Sequence, residues 1–317
     1  MDILSVGEIL IDLTQTGVNE VGVRTYAANP GGAPANVAVA AAKLGAKTGF
    51  VGKVGRDSFG EDLAAVLEKN GVNTAGLFRT DACQTTLAVV SVAETGERSF
   101  SFYRSPGADT LLTAEEALSV LDGMETAPKF LHFGSVSLTA DPEKTATIAL
   151  AEKAKAKGAL VSYDPNYRNT LWPGEDVAVP AMRAPLPLVD VLKISDEELL
   201  LITGSEDLEQ GTKAMLEKGI RLVLVTLGGD GVYYRFGEHT GRVSGFKTEI
   251  ADTNGAGDTF FGALLSRLAK RGEPLTLTVE ELEAELRFAN KAASLTCSRS
   301  GAIPAMPTLK EVEDSLL

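Results

Sequence analysis

The chain has 317 residues, 44% of them hydrophobic and 23% charged, with a formal net charge of −13 at pH 7. Such acidity argues against nucleic acid as the main partner, because proteins of that kind neutralise phosphates with basic patches. No apolar run reaches the ~18–20 residues that a bilayer span requires, so no membrane association is expected.

The length allows about one to three domains. MDILSVGEILIDL lacks the basic start of a signal peptide, and the expected compartment is the cytoplasm. Cys83 and Cys297 are far apart and outside any Cys-x-x-Cys spacing, so disulfides and structural zinc are not expected; both read as small core hydrophobes.

A strand over residues 2–6 is followed by GEILIDL, where Asp12 stands among apolar residues. An acid there needs a partner, and a sugar diol is one candidate. Residues 10–28 have the pattern of antiparallel ribbon. NPGGAPANVAVAAAKLG (29–45) then brings Gly31 and Gly32 up to a helix over 37–44 that stops at Gly45. Close backbone approach, together with the donor and acceptor of Asn36, suits a polyhydroxylated ligand; an ordinary loop accounts for the same residues.

A strand over 48–54 and a helix over 59–70 continue the pattern. Residues 85–104 break it with a second ribbon, 87–93 and 98–104, joined by a turn at Glu94-Thr95-Gly96-Glu97. In ERSFSFYR (97–104), Phe100, Phe102 and Arg104 point to one face and Ser99, Ser101 and Tyr103 to the other. Aromatics and a cation on one face suit a lid over a polar ligand; packing of the two phenylalanines on the main domain is the alternative. Arg104 is expected to meet a ligand or partner, because a guanidinium is hard to bury alone.

Strands over 129–133, 159–164, 189–194 and 221–226 alternate with helices, among them 142–157 and 280–298. The whole is the pattern of an α/β protein with a mostly parallel, helix-covered sheet. His132, in KFLHFG, reads as core and His239 as part of a polar turn, which leaves a Ser–His hydrolase or a histidine metal site little to build on. TLGGDG (226–231) follows the apolar RLVLV; it either turns at a strand's carboxyl end, where open α/β sheets bind ligands, or makes a plain hairpin into VYYRF. The sequence contains neither a P-loop nor a convincing dinucleotide Gly-x-Gly-x-x-Gly.

In ADTNGAGDTFFGAL (251–264), Phe261, Leu264, Leu265 and Leu268 recur at i, i+3, i+4 and i+7, which predicts a helix with Asp258 in its first turn. The amides of Ala256, Gly257 and Asp258 then lack intrahelical partners and attract an anion. Two readings stay open: Asp258 is an N-terminal cap, or it is a carboxylate beside a phosphate, placed to take a proton from an attacking hydroxyl.

Together these pieces resemble the ribokinase-like carbohydrate kinase family, also called the PfkB family. Residues 29–53 are similar to its first signature and DTNGAGDTFFGAL (252–264) to its more specific second one. The likeness runs through TLGGDG to SRSGAIPAMP, and GERSFSFYRSPGAD, LHFGSVSL and SYDPNYRNTLWPG most resemble bacterial fructokinases. The resemblance implies a single domain over 1–317, a three-layer α/β/α core with a mostly parallel sheet, and a small β-sheet lid from about 10–28 and 85–104. It also implies ATP-dependent phosphorylation of the primary hydroxyl of fructose, giving fructose 6-phosphate, in a homodimer joined through the lid.

Asp258 is then the general base, with Gly255, Ala256 and Gly257 as the anion hole. Asp12, Gly31, Gly32, Asn36, Phe102, Arg104 and Arg168 fall on sugar-side positions, and Ser195, Thr226, Gly228, Gly231, Gly257 and Asn290 around ATP. Glu198 corresponds to the acid of the family's Asn-x-x-Glu motif, linked to Mg2+ through water; here the motif reads SDEE, with Ser195 for Asn. Asp252, Asn254, Thr296, Arg299, Gly301 and Ala305 correspond to loops that in relatives surround a monovalent cation, usually K+. Gly134 stands where ribokinases offer ribose a Glu, which disfavours ribose. Two alternatives remain: a kinase for 2-keto-3-deoxygluconate, whose carboxylate suits paired arginines at 104 and 168, and a non-catalytic sugar-binding protein on the same scaffold.

Overall fold

The computed structural model describes residues 1–92 and 98–316, with side chains undescribed for 91, 92 and 98–100. The turn expected at 94–97 and the side chain of Phe100 therefore lie outside the described residues.

The strands are β1 (Ile3–Val6), β2 (Leu10–Val18), β3 (Arg24–Gly31), β4 (Thr48–Gly55), β5 (Asn73–Thr80), β6 (Leu87–Val92), β7 (Arg98–Tyr103), β8 (Phe130–Gly134), β9 (Leu160–Asp164), β10 (Val191–Ser195), β11 (Leu222–Thr226), β12 (Val232–Phe236) and β13 (His239–Val243). The helices are α1 (Ala33–Lys43), α2 (Ser58–Lys69), α3 (Ala114–Asp122), α4 (Glu143–Ala156), α5 (Glu175–Arg183), α6 (Asp196–Thr203), α7 (Leu208–Leu216), α8 (Ala256–Ala269), α9 (Val279–Cys297) and α10 (Leu309–Asp314).

Nine strands form one sheet in the order β13-β12-β11-β10-β9-β8-β1-β4-β5. Pairing is parallel from β11 to β5, while β12 and β13 run antiparallel at one edge. Strands buried on both faces read as continuous apolar runs, as in RLVLV. Successive side chains of β1 show the two faces: Ile3 joins the apolar cluster that includes residues of α1, α8 and α9, Leu4 the cluster that includes residues of α3, α4 and α5. The core is accordingly three layers, α/β/α.

The chain runs outward from β1 in both directions, first through β4 and β5, then back through β8 to β11. The order reverses between β1 and β8, and in such sheets ligands bind at the carboxyl ends of the strands near that reversal. A second sheet, β3-β2-β6-β7, stands apart from the first. Its strands β2 and β3 include the ribbon expected at 10–28, but β3 continues to Gly31. Helix α1 begins at Ala33, four residues before the expected 37, because Pro34 in its first turn needs no amide partner and so starts a helix without apolar periodicity. TLGGDG forms a one-turn helix at Gly228–Asp230 inside an antiparallel β11–β12 hairpin, so the hairpin reading holds at the carboxyl end of β11.

Candidate active site

Helix α8 opens at Gly255, whose φ of 75° is the left-handed conformation that favours glycine. The Ala256 amide donates to Thr253 O at 3.3 Å. The amides of Gly257 and Asp258 have no acceptor among the described residues, and first-turn amides are what binds an anion.

Asp258 does not cap its own helix; no side chain caps α8. Its Oδ2 accepts from Asn36 Nδ2 of α1 at 2.8 Å and its Oδ1 from Asn166 Nδ2 at 3.2 Å. The residue is 7% exposed. Burial, helped by the charge of Asp164, pushes its carboxyl from 3.8 up to about 6, against the Asn36 hydrogen bond, Lys193 and Arg168.

A cavity of about 510 Å3 lies before this carboxylate. Its walls bring together Asp12, Gly32, Asn36, Phe102, Arg168, Asn254, Gly255, Gly257 and Asp258. Asp12, Ala88 and Phe102 are direct neighbours across β2, β6 and β7, so the small sheet offers one face to the cavity. Burial pushes Asp12 up to about 6, with Arg168 opposing and Asp258 adding to the shift. Gly31 is not in the wall. A Cβ there would overlap the Asp12 carboxylate, so the glycine gives that acid its room, and a Cβ on Gly32 would crowd Ile9 Cα at 2.9 Å.

Arg104 departs from expectation. Its guanidinium donates to Asp109 Oδ2 at 2.6 Å, Thr139 Oγ1 at 2.6 Å, Val136 O at 3.2 Å and Glu143 Oε2 at 2.7 Å. Its side chain is 4% exposed and lines a neighbouring cavity, shared with Phe102, instead of the one before Asp258. The burial that seemed too costly for an unpaired cation is met by two carboxylates, one five residues on and one from α4.

A second cavity, of about 740 Å3, shares Asn166, Tyr167, Arg168 and Lys193 with the first and adds Ser195 and Glu198. Ser195 caps α6 and receives the Glu198 amide at 3.1 Å. Glu198 Oε1 accepts from the Tyr167 amide at 2.7 Å and Oε2 from the Ser195 amide at 2.9 Å. Burial and Asp164 raise its pKa. Thr226 lies beside Ser195 in register. A side chain on Gly231 would overlap Val243 O, and Asn290 Nδ2 donates to Val243 O at 3.0 Å and Ser244 O at 3.2 Å. Gly228, at φ 56°, has open space around it.

Asp252 joins the two loops expected around a cation: Oδ1 accepts the Asn254 amide at 3.0 Å and Oδ2 the Gly301 amide at 3.1 Å. The side chains of Thr296 and Arg299 turn elsewhere, to Thr259 Oγ1 at 3.0 Å and Glu311 Oε1 at 2.6 Å. Ala305 is buried, its amide donating to Ala302 O at 3.0 Å. Any cation there rests on Asp252, Asn254 and backbone carbonyls. Among the described residues no group of three or more His, Cys, Asp or Glu side chains converges to hold a metal.

His132 is buried with its ring edge-on to Phe261, and burial pulls its pKa down to about 4. It belongs to the core, as expected; His239 opens β13, an edge strand of the sheet. Among the described residues no helix is long and apolar enough to cross a membrane.

Sequence reasoning missed Asn166, Asp164 and Lys193. A lysine inside the apolar strand VLKIS signals a buried partner, and Asp164 at the end of β9 is that partner, 2.7 Å from Nζ. Asn166 holds a φ of 47°, a conformation asparagine tolerates better than most residues.

The model of the pfkB family of carbohydrate kinases matches residues 1–309. The chain belongs to this family. Among curated proteins this kinase is 43% identical over 314 residues to Fructokinase-1 of Zea mays, covering 98% of the chain and 96% of the relative. Among solved structures it matches the fructokinase of Xylella fastidiosa with bound ATP, at 36% identity and TM-score 0.90, over 99% of this chain and 97% of that one. A double mutant of the Vibrio cholerae O395 fructokinase, in a fructose, ADP and potassium ion bound form, matches at 32% identity and TM-score 0.90, over 100% and 99%.

Proposed function

We propose that this kinase transfers the γ-phosphoryl group of ATP to the primary hydroxyl of D-fructose, giving fructose 6-phosphate and ADP. The observation that carries the reading is a buried carboxylate, Asp258, fixed by two amides and facing a sugar-sized cavity at the head of a helix with unspent amides. Asp258 takes the hydroxyl proton as the oxygen attacks phosphorus; the new O–P bond forms while the bond from Pγ to the β,γ-bridging oxygen breaks. The amides of Gly255, Ala256 and Gly257 form the anion hole for the charge that develops, the turn at Gly257 being free to contribute most directly.

Asp12, Asn36 and Phe102 hold the sugar, and Arg168 faces it from the β9 loop. Ser195, Thr226, Gly228, Gly231 and Asn290 surround the nucleotide. Glu198 keeps free lone pairs on oxygens already oriented by two amides, which fits an outer, water-linked hold on Mg2+. When held there, Mg2+ would neutralise phosphate charge. The Asp252 loops fit a monovalent cation, K+ in our reading. The enzyme works in the cytoplasm as a homodimer joined through the small sheet.

Engagement of Arg104 weakens the 2-keto-3-deoxygluconate alternative, because Arg168 is left as the one arginine lining the cavity among the described residues. Ribose is disfavoured too: a Cβ on Gly134 would already lie 3.3 Å from Asp164 O, leaving little room for a Glu. The test is ADP release with fructose, other hexoses, ribose and 2-keto-3-deoxygluconate. Fructose is expected to give the highest kcat/KM; a faster keto-acid, or ADP release independent of sugar, overturns the reading.

A further inference from the structure

One buried cation stands where the two cavities meet, and the mechanism above leaves it unused. Lys193 lines both the cavity of Asp258 and that of Ser195 and Glu198. Its side chain is 9% exposed. A Cβ on Gly257 would lie 3.1 Å from its Nζ, so the ammonium sits against the turn that carries the anion-hole amides.

The register brings it there. Leu192 pairs with Tyr163 in the parallel β9–β10 ladder, so Lys193 and Asp164 stand one step further along the same two strands. Asp164 Oδ2 is the one hydrogen-bond acceptor of Nζ among the described residues, whereas an ammonium carries three donors. Acidic groups dominate its surroundings: Asp164 from β9, Glu198 from α6 and Asp258 from α8. Burial works to lower its pKa, but those carboxylates outweigh it and keep Lys193 charged. Without that charge, a nucleotide's terminal phosphate would meet a wall of carboxylates.

We propose that Lys193 is a catalytic residue: its ammonium contacts a non-bridging oxygen of the phosphoryl group in flight, and Asp164 is the positioning residue that holds it. This rests on the kinase reading given above. In phosphoryl transfer charge spreads over three equatorial oxygens, and a desolvated, preorganised cation beside them acts without reorganisation. A compact ammonium beneath a glycine suits the space better than a planar guanidinium.

The test compares wild type with Lys193→Met and with the double variant Lys193→Met/Asp164→Asn, which removes the carboxylate that the single change leaves buried and unpaired. Sugar-dependent kcat, calorimetric Kd for fructose, ATP and ADP, and Tm are read for each. In both variants kcat is expected to fall about 100-fold or more, in the range seen when one electrostatic donor is lost. Fructose and ADP affinities stay within about twofold, while ATP affinity falls about tenfold, since ATP alone brings the third phosphate. The double variant regains Tm without regaining kcat.

A double variant within about tenfold of wild-type kcat, or equal losses for ATP and ADP, overturns the proposal and leaves Lys193 as a neutraliser of Asp164. If wild type shows no sugar-dependent ADP release, the kinase reading fails instead. The ATP-against-ADP comparison then still decides whether Lys193 meets the third phosphate.

Discussion

Asp258 must be ionised to take a proton and buried to keep water from the phosphate, and those demands oppose each other. Burial raises its carboxyl to about 6, while the Asn36 hydrogen bond, Lys193 and Arg168 hold it from rising further, with Asp164 and Asp12 adding negative charge nearby. A base must be unprotonated, so kcat/KM is expected to fall tenfold per pH unit below about pH 6 and to level off above it. Asn36→Leu removes a bond that favours the charged form, so the acid limb moves to higher pH. A limb that stays put in that variant assigns the titration to another group. Asp258→Asn keeps the shape and removes the base; kcat is expected to drop by ~10³ or more, with fructose binding measured by calorimetry largely retained. Should that variant keep a tenth of the wild-type rate, Asp258 would lose this role.

Helices α1 and α8 hold the two ends of the Asn36–Asp258 bond, so their separation sets its length. They are in close contact at Gly262, where a Cβ would lie 2.7 Å from Val37 O and 2.8 Å from Ala40 Cβ. Gly262→Val must push the helices apart. It is expected to cost about 1–3 kcal/mol in urea unfolding and to lower kcat with it, whereas a variant of unchanged stability and rate would show that the contact is slack. The stripe of Phe261, Leu264, Leu265 and Leu268 made α8 legible, but the helix is buried almost all round, because α1 and α9 cover the faces the sheet leaves. A single period reveals one buried face and cannot reveal three. Six of the nine main-sheet strands, β1, β4 and β8 to β11, were legible as apolar runs, with ends displaced by at most two residues; β5 and β13 were not, and β12 only as the hairpin alternative. The Lys193–Asp164 pair was not, because 29 residues separate partners that only strand register makes neighbours. Arg104 misled for the same reason: Glu143, its second acid, comes from a distant helix.

At the scale of the whole molecule, the small sheet is two-faced. Leu10, Asp12 and Thr14 of β2, with Val90 and Phe102, line the cavity, while apolar residues stay uncovered elsewhere on the same sheet and its β2–β3 turn. Val21 is 81% exposed, Tyr103 67%, Val18 59% and Val23 57%. Val18, Val21 and Val23 gather at the β2–β3 turn and Tyr103 lies at the far end of the other edge strand, β7, of a sheet whose open edges template pairing with another chain. A second copy covering them would also brace the strands that carry Asp12 and Phe102, which couples assembly to the sugar and not to the nucleotide. The whole chain is therefore expected to elute as a dimer by light scattering at micromolar concentration. Paired Val21→Asp and Tyr103→Asp changes are expected to give a monomer whose KM rises several-fold for fructose but stays within about twofold for ATP, as rim charges usually act on association. A wild-type monomer with full activity would sink the coupling. Equal rises in both KM values would mean that the sheet supports the fold at large instead of the sugar side in particular.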